Sequence, residues 1–293
     1  MKIAAILLNY NSSDDCRFCI DDLLRQTEIE TEIVVVDNGS TPEDRREVEQ
    51  LCREKNCTFI ASSDNRGYNA GNNIGLRYAN SAGYEFALIC NPDMQLSQSD
   101  YLKELLSPML QDKTIAACGG TVLTPQGIHQ NPRNYSGRGN LHNFGWIPYM
   151  LRRKNLGVVP NWVDNPTISH FCQGLNGCCL MLRMSFVRRI GYFDERIFLY
   201  GEEGILASQV KSAKMKLFYT DKTHAVHNHR ENPGSNKNVA AKHWKDSQLL
   251  FIRDYSGYSR MGKYFATLSL CSYFFALNIV HRLRNHKKHA RCR

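Results

Sequence analysis

Three groups of residues in this sequence carry side chains that could do chemistry. Asp93 closes an apolar run in "LICNPDM" (88–94), Glu202 and Glu203 stand side by side in "FLYGEEGIL" (198–206), and His224, His227 and His229 crowd into "THAVHNH" (223–229). A chain that only needed a turn after residue 90 has no use for a carboxylate there, so Asp93 asks for a ligand. Imidazoles with an upstream carboxylate can complete a divalent-metal site. His224 and His227 need not share a face, so at most one ligand is expected from that cluster. Acids in the first turn of a helix favour its positive end. That accounts for one of the two glutamates but not for both beside a glycine.

Such groups need a scaffold, and residues 2 to 120 describe one. Short β-rich runs ("IAAILL", "EIVVVD", "CTFIA", "YEFALIC", "IAACGG") alternate with helical patterns ("DDCRFCIDDLLRQ", "TPEDRREVEQLCREK", and a helix from about 69 to 79). This alternation predicts an α/β domain built on a mostly parallel sheet with right-handed crossovers. Ligands in open parallel sheets sit beyond the carboxyl ends of the strands. The polar residues at those ends are Asn9, Asp37, Asn65 and Asp93.

Two of these strand ends say more. In "VVVDNGS" (34–40), Ser40 with Glu43 reads as a capping box with Pro42 in the first turn. The cap leaves Asp37 unexplained, and its carboxylate can accept hydrogen bonds from a base or a ribose. In "DNRGYNAGNNIGLRYA" (64–79), Gly67, Gly71 and Gly75 recur every four residues. A bare helical stripe lets backbone approach the sheet or a bound phosphate, with Asn69, Asn72 and Asn73 offering amides near the positive helix end. No GxGxxG follows the first strand, which excludes a nicotinamide or flavin site of the Rossmann kind.

At 293 residues and 42% hydrophobic content, the chain can bury a substantial core. It opens directly in a strand, with no signal peptide legible. The eleven cysteines, without metal-knuckle pairs, read as free thiols of a reducing compartment. Residues 121 to 170 are rich in Pro, Gly, Asn and Arg and read as an irregular, partly mobile excursion rather than a second domain. Net charge is +9, and eight Lys/Arg with no acid lie between residues 255 and 293. They surround an uncharged run, "YFATLSLCSYFFALNIV" (264–280). That combination points to an anionic membrane surface rather than to nucleic acid, with the helix lying on the cytoplasmic leaflet. The competing expectation is a helix packed on the domain, followed by a solvated tail. The expected division is a catalytic domain over 1–254 and an apolar helix with a basic tail over 255–293.

The order of motifs ("ILLNYNS", "EIVVVDNGS", "NRGYNAGNNIGLRYA", "LICNPDM", "GCCLMLR", "GYFDERIFLYGEE", "KLFYTDKTHAVH") resembles the family-2 glycosyltransferases of the GT-A fold, above all rhamnosyltransferase-like enzymes. The resemblance runs from about residue 2 to 230. It implies an inverting, metal-dependent transfer of a sugar from a nucleotide-diphosphate donor to a lipid-linked oligosaccharide or polysaccharide acceptor, and the basic tail places that transfer at the inner face of the cell membrane. It implies further that Asp37 binds the nucleotide, that Asn65, Gly67, Asn69, Asn72 and Asn73 lie beside the donor, and that Asn91 stands where many relatives have a first acid. Asp93 would end the motif that holds Mg²⁺ or Mn²⁺, with His227 joining from the C-terminal side. Glu203 matches the general base, with Glu202 in reserve. Ile205 and Gln209 depart from the commoner Asp and Arg. A nucleotide-sugar-binding protein impaired in catalysis is therefore the alternative.

Overall fold

The computed structural model describes residues 1–133, 139–147, 165–229 and 237–291. Strands β1 (Lys2–Asn9), β2 (Glu30–Asp37), β3 (Thr58–Ala61) and β4 (Phe86–Cys90) are joined through helices α1 (Ser13–Leu24), α2 (Pro42–Lys55) and α3 (Tyr68–Ser81). They pair in parallel in the order β3-β2-β1-β4. β1 and β4 are apolar on both faces because helices cover both sides of the sheet. On one face Ile3, Ala5 and Leu7 meet α1 and α2 through Cys19, Ile20 and Leu51. On the other, Ala4 and Ile6 meet α3 through Leu76 and Ala79.

The other half of the sheet runs differently. β5 (Met94–Gln95), α4 (Tyr101–Gln111), β6 (Ile115–Leu123), a short α5 (Gly139–His142), β7 (His170–Cys172), β8 (Cys179–Arg183), α6 (Met184–Arg189), α7 (Glu202–Ser212) and β9 (Lys216–His227) follow. The strand order continues β4-β8-β6-β9-β5, with β7 on β9. β8 is antiparallel to both β4 and β6, and β5 and β7 are antiparallel to β9; only β6 and β9 are parallel. The sheet is thus mixed, and parallel throughout only in its first half. β8 therefore enters the sheet from the end opposite to that of β1 to β4, a reversal that apolar periodicity does not encode.

The glycine stripe of α3 serves the sheet. A Cβ on Gly71 would come within 2.4 Å of Leu8, and one on Gly75 within 2.4 Å of Ile6. The helix can lie this close to β1 only because both positions are bare. The cap of α2 is Thr41, whose hydroxyl accepts from the Asp44 N–H at 3.4 Å, with Pro42 in the first turn. Ser40, expected in that role, instead accepts from Asn9 and from the Asn11 N–H.

At the C-terminal end, α8 (Lys237–Leu250) runs into a π-helical turn (Phe251–Tyr255), and α9 (Arg260–Arg291) packs back across them. Ala266 and Leu270 are buried with Ile252. The cysteines among the described residues are free, and Cys16 and Cys19 lie in the core as small apolar groups. Within the excursion expected over 121–170, residues 134–138 and 148–164 lie outside the described residues.

Candidate active site

β5 is two residues long, yet it fixes the most reactive-looking cluster in the molecule. Its pairing sets Met94 opposite His227, and the Asn228 N–H donates to the Asp93 carbonyl at 2.9 Å. The Asp93 carboxylate consequently faces two imidazoles: Oδ1 is 3.3 Å from His227 Nε2, and Oδ2 is 3.5 Å from His229 Nδ1. Gln130 Oε1 sits 2.9 Å from His227 Nδ1 and also accepts from Asn176 Nδ2 at 3.2 Å. An oxygen at that position puts the His227 proton on Nδ1 and turns the Nε2 lone pair toward Asp93. Asp93 Oδ1 and His227 Nε2 are both buried, and neither has a hydrogen-bond partner among the described residues. Two acceptors held face to face call for a cation or a proton between them. One ligand atom from each of Asp93, His227 and His229 falls within 4.8 Å of the others, and carboxylate oxygen with imidazole nitrogen is a donor set suited to Mn²⁺ and its neighbours. Burial pushes the Asp93 carboxyl up, but donation and charge from the His227 and His229 rings, when these carry a proton toward it, outweigh burial and hold the group below the usual carboxylate range. A cavity of about 210 Å³ opens against Asp93, bordered by Asp15, Phe18, Gln95 and Asn228.

The glutamate pair lies across a shared loop. Gly201 takes φ +86°, a left-handed conformation that glycine adopts freely, and turns the chain into α7 so that Glu202 and Glu203 open its first turn. A Cβ on Gly177 would lie 3.7 Å from Glu202 and from Glu203. Tyr68 donates its hydroxyl to the Gly177 carbonyl at 2.7 Å. Burial first, then the charges of Glu202 and other neighbours, push the Tyr68 phenol up, so it stays a neutral donor. Arg133, whose backbone bridges to Gly174, reaches to 3.7 Å from Glu203. The next residue, Cys178, accepts at its carbonyl from the Asn91 N–H at 2.8 Å. Its thiol is pushed up first by burial and also feels the charges of Asp93, Arg133 and Glu203. Gly177 and Cys178 are therefore the hub that joins the carboxylate–imidazole cluster to the glutamate pair.

The end of β2 uses its polar residues differently. Asn9 and Asp37 stand opposite each other in register. Asn9 donates to Asp37 at 3.2 Å, to Ser40 at 3.1 Å and to Asp44 at 2.7 Å, while Arg45 donates to the other Asp37 oxygen at 2.7 Å and to the Ser62 carbonyl at 2.7 Å. Asp37 is 0% exposed, and both its oxygens already accept from the protein. Gly39 (φ +77°) packs so close to Asp64 and Asn65 that a Cβ would come within 2.5 Å of either. Asn65 accepts from Asn38 at 3.0 Å and from the Gly67 N–H at 2.9 Å.

The side-chain amides of α3 donate to the scaffold, while the Asn69 Oδ1 is buried with no hydrogen-bond partner among the described residues. Asn73 donates to the Phe193 carbonyl at 2.8 Å and accepts from the Phe193 N–H at 3.0 Å. Asn69 donates to the Asp194 carbonyl at 2.9 Å, and Asn72 to the Tyr68 carbonyl at 3.0 Å. Gly67 presses against Phe198, whose carbonyl takes the Tyr68 N–H at 2.8 Å. Through these bonds Asn69 and Asn73 clamp the loop that delivers the glutamates.

Of the three histidines, His224 is exposed on β9, and His227 and His229 both reach Asp93, one more than expected. The reading by sequence also missed Gln130, Arg133 and Asn176, which come from the irregular segment after β6 and the turn before β8. No local motif marks them; Gln130 reaches His227 only because the chain folds back along β6 after Leu123. Ile205 is buried with Ile197 and Leu250, so the position where relatives of the resembled family carry an acid is an apolar packing site here.

A family model described as "Glycosyl transferase family 2" matches residues 5–176. The chain is 28% identical over 227 residues to the low-salt glycan biosynthesis hexosyltransferase Agl10 of Haloferax volcanii, covering 77% of this chain and 67% of the relative. It is 24% identical over 282 residues to N-acetylglucosaminyl-diphospho-decaprenol L-rhamnosyltransferase of Mycobacterium tuberculosis, covering 88% and 86%. Among solved structures, the mannosyltransferase PcManGT of Pyrobaculum calidifontis, in complex with GDP-Man and Mn²⁺, aligns with a TM-score of 0.59 at 16% identity, covering 96% of this chain and 75% of that one. GalNAc-T7 with UDP, GalNAc and Mn²⁺ aligns with a TM-score of 0.61 at 12% identity, covering 86% and 47%. These likenesses identify the fold as GT-A, a mixed sheet flanked by helices.

Proposed function

The chain belongs to glycosyl transferase family 2, and we propose that it is an inverting enzyme that moves a hexose or deoxyhexose, rhamnose among them, from a nucleoside-diphosphate donor to a lipid-linked or polysaccharide acceptor. Relatives named as a hexosyltransferase and a decaprenol-linked rhamnosyltransferase support that choice of donor and acceptor classes. The observation that carries the reading is the Asp93, His227 and His229 cluster, whose loop is tied through the Asn91 N–H to the Cys178 carbonyl, beside the Gly177 that Glu202 and Glu203 flank.

In this reading Asp93 and His227, with His229 at the rim, would hold Mg²⁺ or Mn²⁺, which when bound would supply positive charge for a departing nucleoside diphosphate. Gln130 fixes the His227 ring through Nδ1. Glu203 takes the proton from the acceptor hydroxyl as that oxygen bonds to the anomeric carbon. The bond from that carbon to the diphosphate oxygen breaks on the opposite side, and its electron pair leaves on the diphosphate. Arg133 steadies Glu203 from 3.7 Å, and Glu202 stands beside it in the same first turn of α7 as the reserve base. The Asn91 backbone ties the metal-binding loop to the loop under the glutamates. Asn9, Asp37, Asn65 and Gly67 shape the nucleotide end indirectly, by locking the turns after β2 and β3 to each other.

The test is to incubate the purified protein with Mn²⁺, a panel of nucleotide sugars and candidate acceptors, and to measure which nucleoside diphosphate is released. Release from one donor that rises with acceptor and stops with chelator is expected. Calorimetric donor binding without hydrolysis or transfer for any acceptor would overturn the enzyme reading in favour of an impaired nucleotide-sugar binder.

A further inference from the structure

α9 has two unlike faces. Toward the protein, Ala266 and Leu270 are buried with Ile252 and against Trp244, and Ser269 accepts from the Phe144 N–H at 2.8 Å and from Trp146 Nε1 at 3.2 Å while donating to the Leu141 carbonyl at 2.7 Å. Away from it, Met261, Tyr264, Phe265, Leu268, Phe275 and Ile279 are all exposed. At about 100° of turn per residue these six fall within roughly 60° of a single line along the helix, and from first to last they span about 27 Å. Scattered exposed apolar residues need no explanation, but a contiguous stripe of this length marks an interaction surface.

Its occupant is set by charge and by what the opposite face already does. The sequence from residue 255 onward carries eight Lys/Arg and no acid, a combination that suits an anionic lipid surface, where each basic residue adds about 1 kcal/mol of attraction. The stretch Arg260–Val280 is long and apolar enough to cross a bilayer, with only 17% of its 18-residue apolar window buried inside the molecule. A full crossing would strip Ser269 and Leu270 from the protein and leave the hydroxyl to lipid. A helix lying in the interface keeps those contacts and immerses only the outer stripe.

We propose that the outward stripe of α9 is a lipid-docking face that seats the protein on anionic membrane while its inner face stays packed on α8 and the segment after α5. α8 in turn backs the glutamate turn, since Ser247 and Gln248 lie against Gly201. Docking therefore presents the catalytic side of the domain at a set height above the bilayer. The docking itself does not depend on the transferase reading.

The experiment is flotation of the full chain with vesicles of phosphatidylglycerol and phosphatidylcholine, compared with phosphatidylcholine alone. Binding is expected to the anionic vesicles and to weaken with salt. The double variant Phe265→Ser/Phe275→Ser should lose at least about tenfold in partitioning, whereas Leu110→Ser, an exposed leucine on α4, should lose none. Circular dichroism checks that the variants fold, and nucleoside-diphosphate release from donor alone should be unchanged in the double variant. Equal vesicle binding by wild type and double variant would overturn the proposal. So would a wild-type dimer in light scattering that becomes a monomer in the double variant, since the stripe would then be covered by a second copy. Neither result would touch the transferase reading.

Discussion

Asp37 and Asp93 look alike in sequence, each an acid at the end of an apolar strand, and the fold makes them opposites. Asp37 is completely enclosed, its oxygens satisfied by Asn9 and by the Arg45 guanidinium. Asp93 keeps 19% of its side chain exposed, borders an open cavity, and faces an imidazole nitrogen with no hydrogen bond between the two. A carboxylate whose lone pairs are taken by arginine and amide donors is part of the frame. One set against another acceptor is poised for a cation. What separates them is the neighbour that tertiary structure supplies: α2 brings a permanent cation to Asp37, and β9 brings titratable nitrogens to Asp93.

The contrast can be broken in four places. The largest effect is expected from Asp93→Ala, which should lower transfer by about 10⁴-fold, as befits several kcal/mol of lost charge stabilisation, and abolish Mn²⁺-dependent donor binding in calorimetry. Its urea-unfolding free energy should stay within about 1 kcal/mol of wild type; a large loss of stability would make Asp93 a second frame residue and erase the distinction. Glu203→Gln should reduce turnover by about 10³-fold, the scale of a general base, with donor and metal binding unchanged. If Glu203→Gln turns over normally while Glu202→Gln does not, the base is the neighbouring residue.

Asp37→Ala should do the reverse of Asp93→Ala. Removing it leaves Arg45 without its partner and is expected to reduce folding stability by about 2 kcal/mol in urea titration, less than for a fully buried pair because Arg45 is partly solvated. At temperatures where the variant is folded, turnover should fall less than for Asp93→Ala; a loss as complete as that one would give Asp37 a direct contact with the nucleotide. The smallest effect sharpens the metal side. Gln130→Ala frees the His227 ring and should weaken Mn²⁺ binding by about tenfold, with stability little changed. Unaltered affinity would mean that the strand pairing alone orients His227.

Much of the site was legible in the chain, and the omissions have a common cause. The strand-end rule found Asn9, Asp37, Asn65 and Asp93, since strand termini follow from local apolar runs. The amide cluster of α3 was also visible, but its use was not. Asn69 and Asn73 are matched to the backbone of residues 193–194, more than a hundred positions away, and nothing local distinguishes such an amide from one that awaits a ligand. Gln130 and Arg133 stayed hidden because they lie in a proline-rich stretch without periodicity. The second histidine at Asp93 was missed because reach was judged by helical or strand faces, whereas His229 lies just past the end of β9.

The sequence by itself determined the parallel half of the sheet, the helices that cover it and the family to which the chain belongs, because apolar periodicity and short motifs are properties of neighbours along the chain. Tertiary structure alone decided the direction of β8, the partner of each strand-end acid and the outward stripe of α9. Each depends on which distant segment arrives beside a residue, and a carboxylate acquires its role from the donors, acceptors and charges that meet it in space.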